Sequence, residues 1–277
     1  MAPSPTYLAM RAYERARMLR ARLGRAPDWA GVRILGYHRI ARDGHDLSVR
    51  PEAFRSQMAA LREAGLEPLR LDAALELLDG AAVAPPAGRR VCVTFDDAYR
   101  DNLEEAGPVL RELEVPATVF VPTAIVDGEA SYTWYDDPPP ALTWDEIARW
   151  ASEGLVDFQS HTRTHPRLPH VDAARAREEI FESKRDLEAR LDREVTSFCY
   201  PAGLWGERDA RLVREAGYRA GVTTDPGVNS GNAPMDRLRR TLVYWRDGPF
   251  EFGAKLAGHL DRPPALRRLL YRRLARA

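Results

Sequence analysis

The sequence predicts an α/β fold, a β/α barrel of about seven parallel strands. Three observations lead there. Short runs that are apolar at nearly every position alternate with helical stretches along most of the 277 residues. Strands of that kind must be covered on both faces, as parallel strands under helices are. The alternation also recurs about seven times in one unbroken series, which favours a single barrel over two domains.

The elements follow in order. "GVRILGYH" (31–38) reads as the first strand, and "RPEAFRSQMAALREAG" (50–65) as a helix with Pro51 in its first turn. "RRVCVTFDD" (89–97) is a strand. "RDNLEEAGPVLRELE" (100–114) is a helix that Gly107 and Pro108 interrupt, and "PATVFVPT" (116–123) is again a strand. "TWDEIARWASEG" (143–154) opens on a threonine N-cap and closes on glycine, as helices do. "LVDFQSH" (155–161) is a strand, and "DAARAREEIFESKRDLEARLD" (172–192) is the longest helix. "VTSFCYPAG", "ERDARLVREAGYRA", "GVTT" and "LRRTLVYW" continue the pattern, and residues 126–140 form the one long irregular insertion.

Composition bounds the function. The chain is 44% hydrophobic and 30% charged, ordinary values for a globular protein, and has no apolar run of the ~18 residues that span a membrane. The first residues show no apolar core with a cleavage site, so no secretory signal is read there. The two cysteines, Cys92 and Cys199, sit in apolar strand-like runs. They are expected to be buried free thiols, which fits a reducing compartment. Net charge is zero but uneven. Residues 1–26 carry six Arg and one Glu, residues 262–277 six Arg and no acid, and the body between them carries a net charge of −11. Nothing on that acidic body would neutralise phosphates, so no nucleic-acid partner is expected. The expected organisation is a basic helical extension (1–30), the barrel (31–261) and a basic amphipathic helix (262–277).

In barrels of parallel strands, chemistry sits at the C-terminal strand ends. His38 ends the first strand. Asp96 and Asp97 end "VCVTF", His161 and His165 follow "LVDFQ", and Tyr200 and Pro201 end "VTSFC". Taken singly, an Asp at a strand end is usually a cap or turn residue, and a lone His is more often structural than a ligand. Together they share one rim. One carboxylate and two imidazoles supply three ligands, and three ligands with an open position make a catalytic zinc site rather than a structural one. The second carboxylate is then free to act as a base. Pro166 pushes His165 out of the αR region, so the pair in "SHTRTHP" is no helical H-E-x-x-H arrangement. It is expected on an open loop beyond its strand, unburied.

These residues carry a resemblance. "VCVTFDDAY", "FQSHTRTHPRL" and "FCYPAG" look like three signature blocks of the polysaccharide deacetylases, carbohydrate esterase family four, with the NodB homology domain. "ILGYHRI", "VPATVFVP", "LTWDEI", "REAGYRAGVTT" and "RLRRTLV" match what surrounds those blocks, so the likeness runs from about residue 31 to 246. The resemblance implies a distorted, NodB-like β/α barrel and removal of N- or O-acetyl groups from sugars with one divalent metal ion, usually zinc. It implies Asp96 as general base, Asp97, His161 and His165 as metal ligands, and the Tyr200 backbone N–H as oxyanion donor. Two departures stand out. The third block usually has an arginine two residues before its proline that orients the base, where this chain has Cys199; Arg240 matches the arginine of members that lack the usual one, so the resemblance implies that it orients Asp96 instead. No late-strand histidine serves as general acid, and His38 takes that role as in members with an early "YH". The competing reading of His38 is a hydrogen bond at the rim of the core.

Trp134, Trp205 and Pro201, with Tyr132, Tyr135 and Trp144, are the candidates for holding a sugar, since an exposed ring can stack on a pyranose face. The alternative for Trp134 and Trp144 is packing beneath the insertion. The function expected is metal-dependent deacetylation of an acetylated amino-sugar saccharide. A deformylase or amidohydrolase acting on a lipid-linked amino sugar or another amide, and a catalytically silent carbohydrate-binding module, are the alternatives. The leucine stripe Leu266, Leu269, Leu270 and Leu274 beside five arginines suits an anionic membrane surface. With no export signal read, the expected location is cytoplasmic, and peripheral at the inner face of the membrane unless that stripe packs on the acidic barrel.

Overall fold

The computed structural model describes residues 27–80 and 88–261. The basic segments expected at the two ends lie outside the described residues, apart from residues 27–30, which are irregular. In chain order the elements begin with β1 (Gly31–Tyr37), a short parallel pair β2 (Arg39–Ile40) and β3 (Ser48–Val49), and α1 (Pro51–Glu63). Next come β4 (Glu67–Pro68), α2 (Leu71–Gly80), β5 (Arg89–Phe95), α3 (Gly107–Leu113), β6 (Ala117–Val121), α4 (Thr123–Val126) and α5 (Trp144–Ser152). The rest is β7 (Val156–Ser160), α6 (Ala173–Leu191), β8 (Ser197–Cys199), α7 (Glu207–Glu215), β9 (Ala220–Val222), β10 (Val228–Asn229), β11 (Thr241–Leu242) and α8 (Pro249–Leu256).

Strands β1, β5, β6, β7, β8 and β9 lie side by side and parallel. A seventh extended segment joins the two ends of that row. Leu238 bridges β9 in parallel, and β11 pairs in parallel with β1 through Leu35↔Thr241 and Gly36↔Leu242. The result is the expected distorted barrel of seven mostly parallel strands. Its closing member is ragged, and β10 adds an antiparallel strand on β1 that the sequence pattern does not announce.

Side chains alternate between two apolar clusters, as the strand period of two requires. Val32, Ile34, Cys92, Phe120, Cys199, Val222 and Leu238 form one, joined by Leu71, Leu75 and Leu78 of α2. Leu35, Tyr37, Val93, Phe95, Val119, Phe158 and Phe198 form the other, with apolar residues of the covering helices. Both cysteines are buried and free.

Local chemistry explains the departures from the expected elements. The helix around 100–114 is broken into a π turn (Asn102–Ala106) and α3. Pro108 has no N–H to donate and its ring would strike the carbonyl four residues earlier, so the chain widens before it. The strand at 116–123 stops at Val121, because Pro122 cannot donate to the ladder and Thr123 starts α4. Thr143 caps α5 with a full capping box to Glu146. No helix of the described residues is long and apolar enough to cross a membrane.

One buried ion pair ties the start of the barrel to the last described turn. Arg33, fully buried on β1, donates to Asp261 through Nη1 (2.8 Å) and Nη2 (3.0 Å), and stacks on Trp29 at 4.8 Å. Removing one partner leaves a desolvated charge behind. Asp261→Asn, which strands the fully buried Arg33 guanidinium, is therefore expected to lower unfolding free energy by about 2–4 kcal/mol. A denaturant midpoint unchanged from wild type would show that this tether carries no stability.

Candidate active site

The C-terminal strand ends converge as the sequence predicts. His38 follows β1, Asp96 and Asp97 follow β5, His161 follows β7, and Tyr200 follows β8. Two neighbouring constellations arise. In the first, Arg240 clamps Asp96 with both ends of its guanidinium, Nη1 to Oδ1 at 2.5 Å and Nη2 to Oδ2 at 2.7 Å. In the second, Nε2 of His161 and Nε2 of His165 both lie 3.5 Å from Asp97 Oδ1. His38 Nε2 stands 3.8 Å from Asp96 Oδ2, between solvent and the clamp.

Arg240 reaches Asp96 from the segment that closes the barrel. Its Nε donates to Thr223 O (3.1 Å), and its Nη1 also donates to Thr94 Oγ1 (3.2 Å). Gly36 makes this possible: a Cβ there would stand 2.5 Å from a Leu242 methyl and 3.2 Å from Arg240 Nε. Cys199 lies beside the clamp, its Sγ 3.1 Å from Arg240 Nη2 and 3.5 Å from Asp96 Oδ1.

The histidine loop is held from beneath. Asp97, Thr162 and His165 all adopt positive φ (71°, 67° and 59°), which costs a non-glycine residue about 1–2 kcal/mol. Thr162 Oγ1 accepts from the His165 N–H (3.0 Å). Glu179 of α6, fully buried, accepts from the N–H groups of Arg163 (2.7 Å) and Thr164 (2.8 Å) and from Thr164 Oγ1 (2.5 Å). His161 Nδ1 donates to Cys199 O at 2.8 Å. A carbonyl can only accept, so Nδ1 carries the proton and Nε2 presents its lone pair toward Asp97.

Electrostatics divides the two carboxylates. Burial works against the charge on Asp96, but the Arg240 guanidinium outweighs it and holds the carboxyl well below the usual range. Burial pushes Asp97 well above that range, and the Asp96 charge adds to the push. Its Oδ1 is buried with no hydrogen-bond donor. Burial lowers His161 and His165, leaving neutral imidazoles, and takes His38 down to about 4 against the opposing pull of Asp96.

A buried carboxylate oxygen that lacks a donor, facing two neutral imidazole lone pairs, fits a divalent cation. The ligand atoms of Asp97, His161 and His165 lie within 4.8 Å of one another. Asp96, His161 and Cys199 form a second group of that size. Arg240 already occupies both oxygens of Asp96 and the sulfur, so that group is spent.

Several sequence expectations need correction. The histidine pair is not open: His161 is 1% exposed and His165 is mostly covered, because Trp134 of the insertion lies against the His165 ring at 4.5 Å. The Tyr200 N–H cannot serve an oxyanion, since it donates to Val222 O (3.1 Å) and continues the ladder into β9. Pro201 has no N–H, while Gly203 and Leu204 donate to Tyr200 O and Pro201 O. The amide of exposed Ala202, at φ 54°, has no backbone acceptor in this turn. Pro201 is buried and shapes the turn instead of presenting a surface. Tyr132 is also buried, donating to Asp97 O (2.8 Å). Trp144 is committed to Asp127 (2.8 Å) and Arg190, and one face of Trp205 is covered by Arg237 at 5.0 Å. Glu179 and Asn102, whose Nδ2 donates to His38 O (2.7 Å), escape the sequence reading. Glu179 leaves one signal, a charge set into the stripe Ala176, Ile180, Ser183 and Leu187.

Comparison with known proteins agrees with this geometry. Residues 84–221 match the family model described as polysaccharide deacetylase. The Bacillus subtilis (strain 168) protein YxkH, which carries a polysaccharide deacetylase name, is 30% identical over 226 residues, covering 81% of this chain and 76% of its own. The poly-beta-1,6-N-acetyl-D-glucosamine N-deacetylase of Staphylococcus aureus is 24% identical over 171 residues, 59% of this chain and 57% of that enzyme. A crystal structure of a polysaccharide deacetylase from Bacillus cereus superposes with a TM-score of 0.67 at 26% identity, covering 81% of this chain and 68% of that one. With its strand-end residues, its barrel and these relatives in agreement, the chain belongs to the polysaccharide deacetylase family, carbohydrate esterase family four.

Proposed function

We propose that this protein is a metal-dependent N-deacetylase of an amino-sugar-containing saccharide, with zinc as the ion. One observation carries the reading: a carboxylate locked in its ionised form by Arg240 lies directly beside a three-ligand set that is electrostatically incomplete without a cation. Asp97, His161 and His165 would hold the ion. Bound there, it would supply Lewis acidity toward the acetamide carbonyl and acidify a water molecule to a pKa near 7, which a base as weak as Asp96 requires.

The chain's own groups account for the proton. Asp96 Oδ2 takes it from the attacking water as the new C–O bond forms. His38 starts neutral, with its Nε2 beside that same oxygen, and passes the proton to the nitrogen as the C–N bond breaks. Acetate and a free amine result. The oxyanion donor is the Ala202 N–H, in place of Tyr200. A catalytically silent binding module has no use for an ionised base in this position.

Metal analysis coupled to acetate release from N-acetylglucosamine oligomers tests the reading. About one zinc-class ion per chain is expected, lost in His161→Ala, while Asp96→Asn keeps the ion and loses about 10²–10⁴ in turnover. Formate release from formylated sugars in place of acetate would favour the deformylase alternative. Near-normal turnover in Asp96→Asn would refute the base assignment.

The pH profile reads the clamp. Arg240 depresses the Asp96 pKa, so the base stays ionised well into the acid range, and the acid limb of the wild type is set by His38, which must start neutral and charges as pH falls through about 4. Arg240→Gln leaves burial unopposed and raises the pKa, so the acid limb is expected to move to higher pH, with Arg240→Lys in between. An acid limb that stays put in both variants would mean that Arg240 does not set the charge of Asp96.

Glu179 acts through the histidine loop. Glu179→Ala is expected to weaken metal binding about 10–100-fold in competition with a chelator. Unchanged affinity would limit Glu179 to a structural role.

A further inference from the structure

Next to the site lies a cavity of about 710 Å³ between the loop after β1 and the insertion, lined by Arg39, Asp43, His45, Tyr135 and Asp137, with the run Pro138–Pro140 at its rim. Aromatic rings connect it to the ligand set. His165 contacts Trp134 at 4.5 Å, Trp134 contacts Tyr135 at 6.3 Å, and Tyr135 contacts His45 at 4.7 Å. A saccharide with one residue at His165 has its next residues within reach of Tyr135.

The charge of the cavity is specific. Arg39 is its one cationic side chain, and that guanidinium is spent on Asp101 (2.8 Å) and on Asp43. Asp137 is exposed and takes part in none of the ion pairs of the described residues. The lining is thus net negative, and one carboxylate faces outward without a cation. The polar tips suit a sugar: Tyr135 is half-buried, with Arg39 5.9 Å from its ring, and His45 Nδ1 accepts from the Leu47 N–H (3.2 Å), which leaves Nε2 as the ring's donor. The proline run and the Arg100 N–H bond to Pro140 O (2.9 Å) fix the rim.

We infer that this cavity is a subsite for an amino sugar that has already lost its acetyl group, whose ammonium pairs with Asp137 while its ring lies on Tyr135. The inference rests on the deacetylase reading and extends it. The substrate would be a partially deacetylated oligomer, and each turnover would create the group that the cavity recognises. An acetylated residue there brings no charge, and an acidic sugar would be repelled.

Two measurements separate this inference from the function it rests on. The first needs no turnover: calorimetric binding of the fully deacetylated glucosamine pentamer, which has no acetyl group to lose. Asp137→Asn is expected to weaken it about two- to fivefold, the range of one exposed ion pair, and added salt should weaken wild type more than the variant. The second is acetate release from an acetylated pentamer with and without one free amine. Wild type should prefer the amine-bearing oligomer, and Asp137→Asn and Tyr135→Ala should abolish the preference. Equal pentamer binding by wild type and Asp137→Asn, or no preference for the free amine in wild type, overturns the subsite. Absence of acetate release from every saccharide, with pentamer binding still dependent on Asp137, would count against the deacetylase reading and leave the cavity as an amino-sugar site.

Discussion

The structure turns on the placement of two adjacent carboxylates in one buried pocket. Asp96 and Asp97 are both almost fully covered, and in a medium of low dielectric they cannot both ionise unaided. Arg240 settles the question for Asp96. Nothing among the described residues settles it for Asp97, whose Oδ1 faces only neutral imidazoles. The asymmetry suits the proposed roles: the carboxylate with an internal cation would serve as the base, and the one without would take a cation from outside.

The barrel's closure follows from that requirement. Arg240 can reach Asp96 only because residues 238–242 cross from β9 to β1 and carry it over the open end of the ring. The Arg240 N–H donates to Asp225 O (2.8 Å) and its side chain fills the space that Gly36 leaves. The histidine loop shows a similar economy. The strained turns that aim His161 and His165 inward are tied to α6 through one buried glutamate, and His161 is oriented by the carbonyl of the same Cys199 whose sulfur borders the base.

The sequence made the strands legible because their apolar runs are long enough to be unambiguous, as in β1, β5 and β6. It also made the four central site residues legible, since Asp96, Asp97 and His161 sit at the ends of such runs and His165 follows His161 by four positions. What it concealed depends on tertiary placement. β11 has only two regular residues, so the closing segment carries little strand signal, and the contact from Arg240 to Asp96, across 144 positions, is legible only through the family resemblance and not from the local pattern. The Tyr200 amide reads as an available donor until Val222 is seen beside it. The insertion's aromatics look like surface platforms, but Tyr132 is buried against Asp97 and Trp134 covers His165, so part of the insertion builds the site wall. Tyr135 keeps an edge on the neighbouring cavity.

The exchange of arginine for cysteine at position 199 now has a physical reading. An arginine there would direct its guanidinium from β8 toward Asp96, into the space where Arg240 Nη2 already lies 3.1 Å from the sulfur. Two guanidiniums cannot share one buried carboxylate without an unpaired charge between them, so an arginine at 199 is incompatible with Arg240 in its present place. A small side chain at 199 leaves room for the arginine from the closing segment. The thiol stays neutral in this place: burial and the Asp96 charge both raise it well above its usual value, and Arg240 opposes them without prevailing. Cys199 therefore adds no second anion to the pocket and does not compete with Asp97 for a cation. What remains is a soft, uncharged spacer that lets one arginine serve one aspartate.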